Sequence, residues 1–293
     1  MKLSSADMED LIALAVTAAE RASAHISAEA GKPREVMSKE GGATMASQIV
    51  TEVDFESQRL ILETLEESMT RYELGLLTEE SVDDSSRLTS DYFWCIDPID
   101  GTLPFTENVA GYSVSIALVD RQGVSQIGVI KDPVTGMLMH AVRGGGAFRS
   151  GEPLRLPEGR RLTHVMDRSF ADQENYEQIM EGLREISNDQ GLETLVQIKQ
   201  GGAAMNACWA LDEAPAVYFK FPKPKRGGGS FWDYAASACI YGEVEGAVVS
   251  DIRGRPLHLN REGETFMHEY GVVFATSQVL AEAIYRLYRE VGE

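Results

Sequence analysis

The sequence predicts a mixed fold of two halves, an α+β half at 1–155 and an α/β half at 156–293. Three observations support this prediction. A long amphipathic segment opens the chain, short β-rich segments crowd the region up to about 150, and helical and β-rich segments alternate after 160. The stretch 152–160 contains two prolines and separates the two patterns, so we place the boundary there.

In the first half, apolar residues recur at helical spacing over 8–26, behind two serines that can cap a helix. A second helix is predicted after Asp54, with Phe55 among the apolar side chains of its packing face. Short β-rich segments follow at 74–78, 92–97, 113–120 and 126–132. The glycine-rich segment 143–151 is typical of a turn between two more strands.

In the second half, helices and strands are predicted in alternation. The helices lie near 172–187, after Gly202, from Phe231 to about 241 and over 278–290. The β-rich segments are TLVQIK, AVYFKF, GAVVSD and VVFAT.

Composition limits the possible functions. Hydrophobic residues make up 43% of the 293 residues, enough for a packed core, and acidic residues outnumber Lys and Arg by 46 to 27, a net charge of −19. Such a surface repels a phosphate backbone, so we expect no polymeric nucleic acid partner. A site that processes phosphate would need a local positive centre, and a bound divalent metal ion is the obvious candidate.

The cysteines and the N-terminal segment indicate the compartment. An odd number of cysteines, Cys95, Cys208 and Cys239, argues against a disulfide scaffold and suits a reducing cytoplasm. The first ten residues are acidic where a signal peptide is basic, and no apolar run there approaches the roughly 20 residues of a membrane span. We therefore expect a cytoplasmic protein with no membrane partner.

Acidic residues follow apolar segments at three places. Glu79 and Glu80 follow a β-rich segment, Asp97 and Asp100 flank a proline after the next, and Asp233 opens a helix. Strand ends collect ligand-binding residues because the sheet fixes them in place. Carboxylates held close together repel each other unless a cation lies between them, and oxygen donors without His or Cys favour Mg²⁺ over zinc.

Each acidic segment also has a structural interpretation. Glu79 and Glu80 can form a solvated acidic turn, Asp233 follows Ser230 at the spacing of a helix cap, and Asp54 can cap its own helix. The segment DPIDGT at 97–102 is harder to explain as a turn alone, because it combines a strand, a proline, paired aspartates, glycine and threonine in six residues.

Four segments in order resemble the motif set of the inositol monophosphatase superfamily of Mg²⁺-dependent, Li⁺-sensitive phosphatases. They are TEVD at 51–54, EES at 79–81, DPIDGT at 97–102 and WDYAA at 232–236. The segments RGGGAF at 143–148 and GGAAMN at 201–206 are similar to family segments too, and the resemblance runs from about 36 to 275. It implies a layered αβαβα sandwich with the site in the cleft between the halves, and a homodimer.

The resemblance also implies a ligand set for two to three Mg²⁺ ions. One ion would be held by Glu79, Asp97 and the carbonyl oxygen of Ile99, and Asp97 would bridge to a second ion held by Asp100 and Asp233. A third, weaker ion would contact Glu79.

The catalytic roles implied by the resemblance fall on other residues of the same segments. Thr102, hydrogen-bonded to Asp54, would orient or deprotonate the attacking water, with Glu80 next to them. The backbone N–H groups of Gly101 and Thr102 could face the phosphate if a helix begins there. The family lysine near the site is Lys39 in this interpretation, on a loop that is longer than in the family, and Thr78 stands where the family usually has glycine.

The substrate stays open between two classes. Lys220 stands where inositol-specific members have a glutamate, and a basic stretch from Lys220 to Arg226 resembles the part of 3'(2'),5'-bisphosphate nucleotidases that holds a second phosphate. A solvated basic loop is the structural alternative. The short link between Glu80 and Asp97, and Leu103 after the Asp-Gly-Thr segment, instead favour an inositol monophosphate or a similar polyol or sugar phosphate.

Two other classes of protein are weighed against these enzymes. A haloacid-dehalogenase-type phosphatase would need an aspartate at Pro98, so the sequence excludes that mechanism. A catalytically inactive, metal-stabilised binding protein would have no need of the pair Asp54 and Thr102, which is intact.

Overall fold

The structure is a computed structural model that describes residues 2–32, 37–38 and 49–292. The helices of the described residues are α1 (Ser5–Glu29), α2 (Glu52–Tyr72), α3 (Ser86–Thr89), α4 (Thr102–Thr106), α5 (Tyr176–Asp189), α6 (Ala203–Asp212), α7 (Phe231–Gly242) and α8 (Gln278–Val291). The strands are β1 (Met37–Ser38), β2 (Ile49–Val50), β3 (Gly75–Thr78), β4 (Tyr92–Asp100), β5 (Ser113–Asp120), β6 (Ser125–Lys131), β7 (Leu138–Val142), β8 (Gly146–Arg149), β9 (Glu152–Pro153), β10 (Arg161–Val165), β11 (Thr194–Ile198), β12 (Ala216–Lys220), β13 (Val248–Ser250) and β14 (Val272–Ala275).

The described strands form two large sheets and one small pair. The first half contributes a seven-stranded sheet in the order β3-β4-β5-β6-β7-β8-β9, antiparallel except for the parallel pair β3 and β4. The second half contributes a five-stranded sheet in the order β11-β10-β12-β14-β13, in which β10 runs parallel to both β11 and β12. Strands β1 and β2 pair with each other. The division into domains at 155 stays a prediction.

The two sheets and the helices stack in five layers, because each sheet is apolar on both faces. Helices α1 and α2 bury one face of the larger sheet, and α6 and α7 fill the space between the sheets. Helices α5 and α8 cover the outer face of the smaller sheet. Along β4 the side chains alternate between layers: Phe93 and Cys95 join the central core, and Trp94 and Ile96 join the outer one. The predicted αβαβα sandwich is confirmed.

Helix α2 begins two residues before Asp54, with Thr51 as its N-cap. The prediction that Phe55 packs inward is wrong, because this side chain is 45% exposed. The buried face of α2 runs through Val53, Ile61 and Leu65. Phe55 lies two residues past Val53, about 200° around the helix, and therefore faces away from the sheet.

Helix α7 lies directly on the larger sheet. A Cβ atom on Gly128 of β6 would approach the carbonyl oxygen of Ala236 to 2.3 Å, so only glycine allows this contact. The hydroxyls of Ser115 and Ser125 donate to the carbonyl oxygens of Trp232 (3.0 Å) and Ala235 (2.6 Å). The first turn of α7 is thereby fixed against strands of the other half.

No helix among residues 2–32 and 49–292 is long and apolar enough to cross a membrane.

Candidate active site

Three of the predicted acidic residues meet at one point between the halves. The carboxylate oxygens of Asp97, Asp100 and Asp233 all lie within 4.8 Å of one another. Asp97 and Asp100 come from the end of β4, where the pairing with β5 shifts register between them, and Asp233 comes from the first turn of α7. Asp97 and Asp100 are 1% and 4% exposed, so the cluster is largely removed from water.

Backbone N–H groups hold Asp97 and Asp100 in place. Ile99 N donates to Asp97 Oδ1 (3.0 Å), and Ala203 N and Ala204 N donate to Asp100 Oδ1 (2.9 Å) and Oδ2 (2.8 Å). The donors to Asp100 begin helix α6, which stabilises negative charge at its N-terminus. The segment GGAAMN therefore brings the second half to the end of β4.

Asp233 serves as a cap and as a member of the cluster at the same time. The backbone N–H of Ser230 donates to Asp233 Oδ2 at 2.5 Å, as expected of a helix cap. The same carboxylate lies in the acidic cluster. The structural interpretation and the site interpretation of this residue are therefore compatible.

Burial and mutual repulsion raise the pKa values of the clustered acids. Burial raises the pKa of Asp97, and the charges of Glu79, Asp100 and Asp233 raise it further. Burial and Asp233 raise the pKa of Asp100, and burial with Glu79 raises the pKa of Asp233 to about 6. Glu79 thus lies close enough to act on the cluster.

The donor set fits a hard divalent cation. The clustered carboxylates and the carbonyl oxygen of Ile99 offer oxygen atoms, and no His or Cys joins the described cluster. Crowded, buried carboxylates retain protons unless positive charge replaces them, and Mg²⁺ prefers all-oxygen sites of this kind. Glu79, Asp97, Ile99, Asp100 and Asp233 are the residues that could hold the metal.

Thr102 and Asp54 lie beside the cluster and contact each other. The Thr102 hydroxyl lies 3.1 Å from Asp54 Oδ1 and 3.2 Å from the carbonyl oxygen of Ile99. The other oxygen of Asp54 accepts the N–H (2.8 Å) and the hydroxyl (2.6 Å) of Thr51. Burial raises the pKa of Asp54 to about 6, although the Thr51 hydrogen bonds oppose this. Helix α4 begins at Thr102, after Gly101 in a left-handed conformation (φ 88°).

Gln58 is a site residue that sequence reasoning missed. Its side-chain oxygen accepts from Glu80 N (3.2 Å) and from the hydroxyl of Thr78, and its amide nitrogen donates to Ser81 Oγ (2.8 Å). Gln58 therefore holds the turn that carries Glu79 and Glu80. Its position four residues after Asp54 places both side chains on one face of α2, which was the available signal.

Lys220 lies in a partly buried ion pair at the end of β12. Its Nζ is 2.6 Å from Asp167 Oδ2, and the two side chains are 12% and 27% exposed. Asp167 Oδ1 also accepts from the Tyr218 hydroxyl and from Asn206 Nδ2, both at 3.1 Å. Burial opposes the charge on Lys220, but Asp167, together with Asp233, outweighs burial and raises the pKa of Lys220.

The rest of the basic stretch is distributed differently. Arg226 pairs with Glu264 at 3.2 Å. Burial and the neighbouring charge of Lys220 lower the pKa of Lys223.

Asp167 was not predicted, because a single aspartate in the segment MDR carries no distinguishing pattern. The predicted substrate residue Lys39 lies outside the described residues.

The layered sandwich and the acidic cluster at its centre are features of a metal-dependent phosphatase. Residues 7–293 match the sequence model of the inositol monophosphatase family, and the chain belongs to this family. Its members are phosphatases and are generally Mg²⁺-dependent. The prediction of a phosphatase is confirmed, as is the family.

Three curated relatives show the range of names within the family. The chain is 27% identical to "Fructose-1,6-bisphosphatase/inositol-1-monophosphatase" of Thermotoga maritima, over 77% of this chain and 79% of the relative. It is 27% identical to "Nus factor SuhB" of Vibrio cholerae, over 97% and 98% of the two chains. It is 26% identical to human "Inositol monophosphatase 1", over 80% of each chain.

Solved structures share the fold. An inositol monophosphatase from Thermotoga maritima superposes with a TM-score of 0.72 at 22% identity, over 97% of this chain and 100% of the other. CysQ from Bacteroides thetaiotaomicron superposes with a TM-score of 0.70 at 24% identity, over 92% of this chain and 98% of the other.

Proposed function

We propose that this protein hydrolyses the phosphomonoester of a small polyol or sugar phosphate, such as an inositol monophosphate, with two to three Mg²⁺ ions. Glu79, Asp97, the carbonyl oxygen of Ile99, Asp100 and Asp233 would hold these ions. One observation carries the proposal: the carboxylates of buried Asp97 and Asp100 and of partly buried Asp233 lie within 4.8 Å of one another beside the Thr102–Asp54 hydrogen bond.

Bound at this cluster, Mg²⁺ would stabilise charge on the phosphate and lower the pKa of water. Asp54 accepts a hydrogen bond from the Thr102 hydroxyl. The lone pairs of the Thr102 oxygen are therefore free to accept a hydrogen bond from the attacking water. Because its pKa is raised to about 6, Asp54 can take up a proton near neutral pH. Glu80 would support this pair, and the N–H groups of Gly101 and Thr102 would bind phosphate oxygens.

The ion pair of Lys220 supports a monophosphate substrate. A second phosphate requires unbalanced positive charge, whereas Asp167 lies 2.6 Å from the Lys220 ammonium and the acidic cluster lies nearby. Ion-paired groups together with the Tyr218 hydroxyl and the Asn206 amide suit the hydroxyl groups of a polyol. This arrangement favours a polyol phosphate over adenosine 3',5'-bisphosphate, which remains the alternative substrate.

A role as an enzyme is preferred over a binding role, although several relatives are named Nus factors. The hydrogen-bonded pair Asp54 and Thr102 serves hydrolysis and contributes nothing specific to binding a macromolecule. The net charge of −19 also opposes binding to polymeric nucleic acid. By resemblance to the family we further propose a homodimer located in the cytoplasm.

The test is a turnover panel in Mg²⁺ with inositol 1-phosphate, adenosine 3',5'-bisphosphate and fructose 1,6-bisphosphate. We expect inositol 1-phosphate to give the highest kcat/KM of the three. In Lys220→Met we expect KM for adenosine 3',5'-bisphosphate to change by less than about threefold, well below the roughly ten- to a hundredfold of a lost charge-assisted hydrogen bond. A preference for the bisphosphate that Lys220→Met abolishes would establish the nucleotidase instead.

A further inference from the structure

Arg87 is a buried cation on the short helix α3. Although it is an arginine, only 2% of its surface is exposed. Its Nε donates to Asp83 Oδ2 (2.8 Å), and its Nη1 donates to Asn260 Oδ1 (2.7 Å) and to the carbonyl oxygen of Arg261 (2.9 Å). A guanidinium held by several fixed acceptors is a rigid connection, because its planar fork leaves little rotational freedom.

Asn260 completes the connection in the opposite direction. Its Nδ2 donates to the carbonyl oxygens of Arg87 and Arg121, both at 3.0 Å. Asn260 is itself 6% exposed. Arg87 and Arg121 belong to the first half and Asn260 to the second, so these hydrogen bonds join the halves. We call Arg87 and Asn260 the inter-half clamp.

One end of the clamp supports the strand that leads to Glu79. Arg87 lies on α3, and the hydroxyl of Ser86 on the same short helix accepts the N–H of Leu76 at 3.0 Å. Helix α3 approaches β3 so closely that a Cβ atom on Gly75 would lie 2.8 Å from the backbone nitrogen of Arg87. A shift of Arg87 would therefore move β3, and Glu79 follows that strand directly.

The other end supports the helix that carries Asp233. The guanidinium carbons of Arg87 and Arg261 lie 5.9 and 5.3 Å from the ring centroid of Phe231, the first residue of α7. The N–H of Phe231 donates to the carbonyl oxygen of Thr265 (3.0 Å), in the segment that follows Asn260. Asp233 is two residues further along α7.

We propose that the inter-half clamp positions Glu79 relative to Asp233 and thereby sets the affinity of the metal site. The cluster takes its acids from both halves, and a metal site loses affinity when its ligands shift by a few tenths of an ångström. Arg87 and Asn260 are positioning residues, because they touch none of the clustered carboxylates through any described hydrogen bond. The proposal rests on the metal-dependent function proposed above.

The test measures Mg²⁺ binding by calorimetry without substrate, and the Mg²⁺ concentration that gives half-maximal turnover. In Asn260→Ala we expect the Kd for Mg²⁺ and the half-maximal Mg²⁺ concentration each to rise by about tenfold. This loss of affinity is within the range seen when groups that orient metal ligands are removed. At saturating Mg²⁺, KM for inositol 1-phosphate should stay within about twofold of the wild-type value, because the clamp does not face substrate. Arg87→Lys keeps a positive charge for Asp83 and should show a smaller shift in the same direction.

Arg149→Met is the matched control. Arg149 pairs with Asp212 at 3.1 Å and so also joins the halves. Asp212 is the last residue of α6, whereas the backbone N–H groups that contact Asp100 are at the start of that helix. This variant should lower Tm and leave Mg²⁺ affinity unchanged. If Asn260→Ala and Arg87→Lys lower Tm yet bind Mg²⁺ as the wild type does, the clamp is only structural and the inference is wrong. If the wild type binds no Mg²⁺, the proposed function fails and this inference fails with it.

Discussion

Two neighbouring groups of buried or partly buried charged residues differ in how their charges are balanced. The acidic cluster gathers Asp97, Asp100 and Asp233, and like charges within it raise one another's pKa values. The ion pair of Lys220 and Asp167 joins opposite charges at 2.6 Å and is completed by two further hydrogen bonds to Asp167. Both groups are at least partly shielded from water, yet of the two only the ion pair is electrostatically complete within the chain.

The difference indicates which group is built to accept something. Burying like charges costs free energy that packing around them does not return, so such a cluster is explained by a cation that it receives. A paired lysine and aspartate need no additional ion. Mg²⁺ should therefore strongly change the effects of substitutions in the acidic cluster on turnover and stability, and change those of substitutions in the ion pair little.

Removing metal should have the largest effect. In excess EDTA we expect turnover of inositol 1-phosphate to fall below detection, because the carboxylates alone cannot stabilise charge on the phosphate. Adding Mg²⁺ back should restore the rate, and Ca²⁺, with its longer bonds and looser geometry, should inhibit. Li⁺ at millimolar concentration should inhibit as well, as is typical of the family. Full turnover in EDTA would contradict the assignment of a metal site.

The next largest effect is expected from Asp97→Asn. Asp97 is the proposed bridging ligand, so we expect kcat to fall at least ~10²-fold in Mg²⁺. In EDTA the same substitution should leave Tm equal or higher, because it removes one of the charges that repel each other. An unchanged rate would mean that Asp97 is structural.

Asp251→Asn is the control for Asp97→Asn. Asp251 is likewise buried, at 3% exposed, and accepts from the backbone of Arg253 and Arg255 in a turn of the second half. It belongs to no cluster of acids among the described residues. We expect a lower Tm with and without Mg²⁺, and a kcat within about twofold of the wild-type value.

The sequence predicted the acidic cluster because its members belong to contiguous patterns. Asp97 and Asp100 share one short segment at the end of an apolar strand that is buried almost throughout, so the apolar run and the strand-end placement locate them together. The layers of the fold could be predicted for a similar reason, because helical spacing and β-rich runs are local signals. Helix α1 and strand β5 lie where those signals predicted them.

The surroundings of the cluster could not be predicted in the same way. Asp167 lies two residues after β10 and Lys220 ends β12, a parallel neighbour more than fifty residues further along the chain, so their pairing depends on strand order. Arg87 and Asn260 meet across 173 residues and across the two halves. A polar side chain in a loop has no periodicity, and only the folded chain shows which of them are buried together.

A smaller effect is expected in the pH dependence of stability, which should distinguish the acidic cluster from the ion pair of Lys220 and Asp167. The folded-state pKa of Asp233 is about 6, above its ordinary value of 3.8, so the folded protein binds more protons than the unfolded chain between these values. This group therefore lowers stability as the pH rises from about 4 to about 6. The full shift corresponds to at most about 3 kcal/mol, and we expect about 2 kcal/mol because the clustered acids share protons.

The measurement compares the free energy of unfolding of the wild type and Asp233→Asn in EDTA, at pH 4 and pH 7. Asparagine keeps an oxygen for the Ser230 cap, so the helix start is preserved. The variant should gain stability relative to the wild type at the higher pH, and Mg²⁺ should remove that gain. Parallel pH profiles would show that Asp233 is not destabilised by its neighbours.

The smallest effect is expected at the ion pair, in Asp167→Asn. Lys220 is 12% exposed and would lose its charged partner, but nearby Asp233 also favours its charged form. Removing one partner of a fully buried pair costs about 3 to 5 kcal/mol, and the 27% exposure of Asp167 reduces this, so we expect about 1 kcal/mol in the free energy of unfolding. Lys220→Met should cost less, because Asp167 keeps its bonds to Tyr218 and Asn206.

Denaturant titration of both variants, with and without Mg²⁺, checks this prediction. The loss in Asp167→Asn should persist in Mg²⁺, because a cation at the acidic cluster cannot replace a missing anion beside Lys220 and weakens the attraction of Asp233 for it. That result would be opposite to the one expected for Asp97→Asn, whose stability should fall behind the wild type only when Mg²⁺ is present. If Mg²⁺ instead restored Asp167→Asn to wild-type stability, the ion pair and the acidic cluster would form one coupled site rather than two distinct groups of charges.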